Sequence, residues 1–212
     1  MAENKVVFGL KNVHYAPYTV EAGVVTFGTP KPIPGAVEMS NEPRGDMIEF
    51  YADDMLYYSA PNNQGYEGTL SIANIPESFA VDCLGEEIDE TDGVLAEYAD
   101  AKPKPFALLF EFDGDQKATR HVMYNCTANR PTVSSSTKTD TVEPNANELT
   151  YVASPIQMDG RPIVKTKTSD KTTDAIYNAW YNTVFVKGET AEGASAQSIS
   201  MAKEEDTSGG AA

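Results

Sequence analysis

The chain has 212 residues, 41% of them hydrophobic and 23% charged, enough to bury a core and too apolar for a disordered polymer. Asp and Glu number 32 against 16 Lys and Arg, a formal charge of −16, which excludes the usual phosphate-binding surface of a nucleic-acid protein. No stretch approaches the roughly 20 apolar residues of a membrane helix, and two cysteines are too few for a disulfide scaffold.

The first segment, "VVFGLKNVHYAPYTV", is β-branched and aromatic and reads as a strand interrupted at Pro17. A short strand follows at Val24 to Phe27. Pro30, Pro32 and Pro34 then suit an extended segment without ladder donors, before another strand near Ala36 to Ser40. "DMIEFYADDMLYYSA" and "QGYEGTLSIANI" flank the turn-rich "PNNQG", which predicts a β-hairpin. Pro76, Glu77 and the spacing of Phe79, Ala80, Cys83 and Leu84 predict a short amphipathic helix over about 76–84, closed by Gly85. The acidic "GEEIDETDGVLAEYADAKPKP" reads as a surface loop.

"PFALLFEFDGDQKATRHVMYNCTANRP" reads as a second hairpin. Phe106, Leu108, Phe110 and Phe112 alternate on one strand, and His121, Met123 and Asn125 face opposite to Val122, Tyr124 and Cys126 on the other. A polar strand or loop precedes a strand at Glu148 to Ser154, and "RPIVKTKTSD" is a last strand or the arm leaving it. "DAIYNAWYNTVF" can form a short helix with Asp174 as N-cap, sharing a face among Ile176, Ala179 and Trp180. After Val186 the composition lacks aromatics and cannot repay its ordering entropy, so a mobile tail over 188–212 is expected. The sum is a mainly β domain over 1–187 with one helix near its middle and arms at both ends.

Catalytic patterns fail one by one. Asp53 and Asp54, read as neighbours in a strand, point to opposite faces and cannot share a proton as a carboxylate pair. "DGDQ" opens like a calcium loop, but the twelfth residue from Asp113 is Tyr124 rather than Glu, and a tight turn explains it fully. His14, His121, Cys83 and Cys126 lack zinc-ligand spacing. The Ser134 to Ser136 cluster has no nucleophile elbow, and no phosphate-binding glycine loop occurs. The expectation is a protein with no catalytic residue, no metal and no cofactor. The N-terminus lacks a secretory apolar region, so synthesis in the cytoplasm with reduced thiols is expected.

The order of "GLKNVHYAPYT", "GTPKPIPGAVEMS", "YADDMLYYSAPNNQGYEGTLSIANIPESFAVDCLG", "FALLFEF", "RHVMYNCTANRPTVSSSTKTDTVEPNANELTYVASP" and "AIYNAWYNTVF" resembles the major tail proteins of long-tailed bacteriophages of Gram-positive bacteria, over about residues 5 to 187. The resemblance implies a β-sandwich or barrel flanked by a helix, and a homo-oligomer of rings, usually hexameric, stacked into the virion's tail tube. Double-stranded DNA passes through such a tube without specific binding. The other implied partners are the tape measure protein, the tail terminator and baseplate proteins. It also implies an inter-ring loop, which by position falls at 38–68, with no membrane partner and no cofactor. Amphipathic tyrosines suit surfaces wet before assembly and buried after it. Tyr51, Asp53, Asp54, Tyr57, Tyr58 and Tyr66 are therefore candidate inter-subunit contacts, and Glu111, Asp113 and Asp115 candidate acids of a DNA-repelling lumen. Two rival classes are a carbohydrate-binding or adhesin-like β-sandwich, for which tyrosine-rich hairpins are also suitable, and an acidic hydrolase with a scattered site.

Overall fold

The computed structural model describes residues 4–21, 24–132, 145–158, 160–187 and 197–200. The chain is mainly β, built on one large antiparallel sheet. In chain order β1 (Val7–Glu21), β2 (Val24–Phe27), β3 (Lys31–Pro32) and β4 (Ala36–Arg44) precede a separate hairpin of β5 (Ile48–Ala52) and β6 (Met55–Ala60). Next come β7 (Gly65–Ile72), the short helix α1 (Glu77–Phe79), and a small hairpin of β8 (Glu87–Ile88) and β9 (Leu95–Ala96). The central pair β10 (Phe106–Gly114) and β11 (Thr119–Ala128) leads to β12 (Asn147–Ala153), β13 (Ile156–Met158), β14 (Arg161–Ile163), β15 (Lys165–Lys167), α2 (Asp174–Ala179) and β16 (Gln197–Ser200).

The main sheet runs β16-β2-β1-β10-β11-β12-β7-β4, with β15 added to β11 and β3 to β1. β10 is central because both its faces are apolar. Phe106, Leu108 and Phe110 join one core with Tyr15, Leu70 and Phe79, while Ala107 and Leu109 join a second with Val122, Tyr124 and Trp180. Full burial of one such side chain contributes about 1.5–3 kcal/mol, so the two layers hold the sheet from both sides.

The first core is closed by α1. Pro76 stands at its N-cap, and Ala80–Leu84 continues it as a wider turn that ends at Gly85, φ 83°. Phe79 meets Tyr15 and Phe106 edge-on at 5.0 and 5.2 Å. The face predicted for this helix is the buried face. The second core is closed by the segment after α2, where Trp180 stacks on Phe185 at 5.5 Å and donates its indole N–H to the His121 carbonyl. Thr173, not Asp174, is the N-cap of this second helix; Asp174 sits in the first turn. Cys83 and Cys126 are free and buried.

Four readings of the sequence are corrected. The "PNNQG" stretch does not join two paired strands: β5 pairs with β6 across Asp53–Asp54, and β7 pairs with β4 and β12. The "GEEIDETDG" loop holds a hairpin of its own. In β11 the register slips by one residue between Met123 and Cys126, so Cys126 turns to the same core as Met123 instead of opposing it. β1 runs through Pro17 without a break, Pro17 pairing with Phe106. The tail over 188–212 and the Ser134 to Ser136 cluster lie outside the described residues, apart from Gln197–Ser200, which pairs antiparallel with Val24–Phe27.

Candidate assembly surface

The β5–β6 hairpin stands off the sheet on a narrow neck. Gln64 donates its amide to the Arg44 carbonyl at 3.0 Å, and the Asn63 side chain accepts the Gly65 amide at 3.0 Å. Gly65 has φ 99°, and a β-carbon there would lie 1.9 Å from the Ala153 carbonyl oxygen. Only glycine allows β7 to leave the neck and run this close to β12.

The turn itself is Asp53–Asp54, with φ of 50° and 60°. Both central residues are left-handed, the conformation of a two-residue type I′ turn, and aspartate tolerates it better than most side chains. The two carboxylates therefore sit at the tip of the hairpin, not along a strand.

From the tip the register sorts the side chains. Ile48 opposes Ala60, Phe50 opposes Tyr58, Tyr51 opposes Leu56 and Ala52 opposes Met55, with Tyr57 as the extra residue of a bulge. Alternation puts Ile48, Phe50, Met55 and Tyr58 on one face, which is wholly apolar or aromatic. Glu49, Tyr51, Leu56 and Ser59 make a mixed second face, fixed by the Tyr51 hydroxyl donating to Glu49 at 2.8 Å. None of these residues joins either core. Tyr57 is 75% exposed and Met55 67%.

A free two-stranded ribbon is marginal in water, and a contiguous apolar face on a soluble monomer usually marks an interaction site. The hairpin brings together Tyr51, Asp53, Asp54, Tyr57 and Tyr58. Tyr66 lies beyond the neck in β7, packed at the edge of the first core with the Lys165 ammonium 3.9 Å from its ring centre.

The three candidate lumen acids separate. Glu111 is only 5% exposed. Its carboxylate accepts from Asn12 at 2.6 Å, from Arg120 Nε at 2.9 Å and from the Tyr181 hydroxyl at 3.1 Å. Arg120 also donates to the Tyr177 carbonyl and lies 3.8 Å from the Tyr177 ring centre. Burial first, and the Glu111 charge second, push the Tyr181 hydroxyl up, which keeps it a donor. Glu111 is thus an internal tie between β10, β11 and the α2 segment, and its removal from the lumen set is a correction. Asp113 is ion-paired with Lys11. Asp115 is exposed and accepts the Lys5 amide at 2.7 Å, which holds its carboxyl below the ordinary range.

Sequence reasoning missed two features. Arg120 was invisible as Glu111's partner because that pairing depends on register. The apolar residues of the hairpin, Ile48, Met55 and Leu56, looked like ordinary core material; the Asp-Asp step between two apolar runs was the available clue.

A family model described as "Phage tail tube protein" matches residues 2–188. The chain belongs to the phage tail tube protein family. That membership gives it a structural role in the phage tail. Among curated proteins none matches. Similar solved structures include the following two. The anti-feeding prophage cap, the AFP tube terminating cap, is 12% identical, with 72% of this chain and 92% of that chain covered and a TM-score of 0.44. The PVC sheath–tube complex of an extracellular contractile injection system in its extended state is 14% identical, with 72% and 93% covered and a TM-score of 0.41. Among the described residues of this tail tube protein, no helix is long and apolar enough to cross a membrane.

Proposed function

We propose that this tail tube protein assembles into stacked rings, with six copies in each as the starting expectation, and that the β5–β6 hairpin is the arm by which one copy grips another. The resulting tube is the conduit for DNA ejection in the virion. The observation that carries this reading is the hairpin's apolar face, built from Ile48, Phe50, Met55 and Tyr58 and left exposed by the described residues of the protomer. Burying it between copies removes the exposure, and the aromatic ring of Tyr58 can keep its hydroxyl wet at the rim of the contact. Asp53 and Asp54 lead the arm into the contact as solvated charges.

On this reading the other partners lie at the ends and in the bore of the same tube: the tape measure protein, the tail terminator and baseplate proteins. Asp115, exposed and ionised, is the acid best placed to repel DNA phosphates; Asp113 contributes less because Lys11 neutralises it. Replacing residues 46–63 by a two-residue Asn-Gly turn tests the arm. The shortened chain should stay folded and monomeric at concentrations where the full chain assembles. Tubes of ordinary length from the shortened chain overturn the assignment.

A further inference from the structure

The sheet register puts a cleft that carries exposed lysines and a strongly acidic hairpin at opposite ends of the molecule. At one end Phe112 pairs with Thr119 and His121 pairs with Lys167. At the other, Phe106 pairs with Cys126, and the chain entering Phe106 comes from β8–β9, tied back where the Lys104 amide donates to the Cys83 carbonyl at 2.8 Å. Phe106 to Phe112 spans roughly 20 Å of strand.

The first end holds a cleft of about 440 Å³, lined in part by Lys117, Lys167, Thr168, Tyr177 and one acid, Asp170. The Lys117 ammonium lies 3.6 Å from the Tyr177 ring centre. Lys171 adds a further cation beside Lys167 and Asp170, in a chain whose net charge is −16, whereas Lys165 lies further along β11 against the Tyr66 ring. Lys167 and Lys171 are exposed, and among the described residues neither sits in an ion pair.

The second end presents the β8–β9 hairpin. It is held locally: the Asp89 amide donates to the Val94 carbonyl at 2.9 Å, and the Asp89 and Asp92 side chains accept the Thr91 and Val94 amides. Glu86, Glu87, Asp89, Glu90 and Asp92 give it five acids, none of them in an ion pair among the described residues. Ile88, Val94 and Tyr98 are each about half exposed or more, at 48%, 58% and 51%. The hairpin thus combines an unpaired charge with an uncovered apolar strip.

We propose that the lysine-lined cleft of one copy receives the acidic β8–β9 hairpin of a second copy, head to tail. Lys167 and Lys171 meet Glu87 and Glu90, while the ring of Tyr177 and the lysine stems, that of Lys117 paired with Asp174 included, cover Val94 and Tyr98. A contact between two different patches at opposite ends does not close on itself as a two-fold dimer does; it repeats without limit. This rests on the stacked-ring reading above and names the contact that joins one ring to the next. Opposite charge fixes the polarity of stacking, since two acidic ends or two basic ends repel.

The test reverses the charges on each side in the full-length chain. One variant carries Lys167→Glu and Lys171→Glu, a second Glu87→Lys and Glu90→Lys, and a third all four changes. Self-association is read by sedimentation velocity at low and high salt, with electron microscopy of the same samples and a thermal melt to verify folding. Each two-site variant should weaken self-association at least tenfold at low salt, and the four-site variant should recover most of it. Unchanged association in either two-site variant, or no recovery with all four, overturns the contact. Recovery with all four in samples that contain no hollow tubes keeps the contact and defeats the tube reading. Hollow tubes from both two-site variants keep the tube reading and defeat the contact.

Discussion

Glu111 shows what a single carboxylate does when the fold encloses it. Its charge is matched by Arg120 and shared with two further donors, Asn12 and Tyr181. Removing one member of a buried ion pair leaves the other uncompensated, at a cost of about 3 kcal/mol. Glu111→Gln should therefore lower the unfolding free energy by about that amount in urea titration, with the slope unchanged. His121 gives the pH dependence. Burial first, then Lys167 and Lys165, lower its pKa to about 4, against about 6.5 in the unfolded chain. The folded state disfavours the charged ring, so the unfolded state binds more protons between these values. Stability from this residue is fully present above pH 6.5 and is lost as pH falls toward 4, by about 1–2 kcal/mol after allowance for its partial exposure. Thermal melts from pH 7 to 4 should show that loss in the native chain and a smaller one in His121→Asn. Neither effect was legible in the sequence. "FEF" marks Glu111 only as the polar member of an alternating run, and His121 reads as a half-exposed strand residue; the partners of both are fixed by cross-strand register and by the α2 segment folding back.

At the scale of elements, the strands with strong alternation were read nearly to their ends. Val24 to Phe27 is a strand as expected, and the expected strand at Glu148 to Ser154 is observed as Asn147–Ala153. The tyrosine-rich hairpin was found with the wrong turn. "PNNQG" has the stronger composition for a turn, yet it forms the neck, because Gly65 is needed where β7 passes β12. Asp53–Asp54 is the weaker type I′ sequence, and it carries the reversal because the flanking apolar runs pair across it. Asp53→Asn with Asp54→Gly should thus rigidify the hairpin. Amide exchange across Phe50 to Tyr58 should slow by about fivefold, the effect of roughly 1 kcal/mol. Faster exchange would show that the two carboxylates stabilise the turn in some other way. The bulge in β11 was out of reach of any period-2 pattern, since one extra residue reverses every later side chain.

At the scale of the whole molecule, the mainly β class and the tail tube family were readable from the order of segments, and the resemblance named the 38–68 loop as a candidate contact, whereas the placement of the two charged segments was not readable. Composition reports a charge of −16 but not that the cations gather between Arg161 and Lys171 while acids gather between Glu86 and Asp92. Segregation of that kind appears only once the sheet sets the two segments at its opposite ends. An apolar arm and a pair of charged ends have different salt responses: apolar burial persists as salt rises, while exposed charge contacts are screened within a Debye length of about 8 Å at physiological ionic strength. The central claim is that this chain works by joining to its own copies. Electron microscopy of the purified full-length protein, concentrated at neutral pH and moderate salt, tests it most directly. Hollow tubes with a regular axial repeat are the predicted result, and a population of single protomers that stays dispersed at every concentration would contradict it.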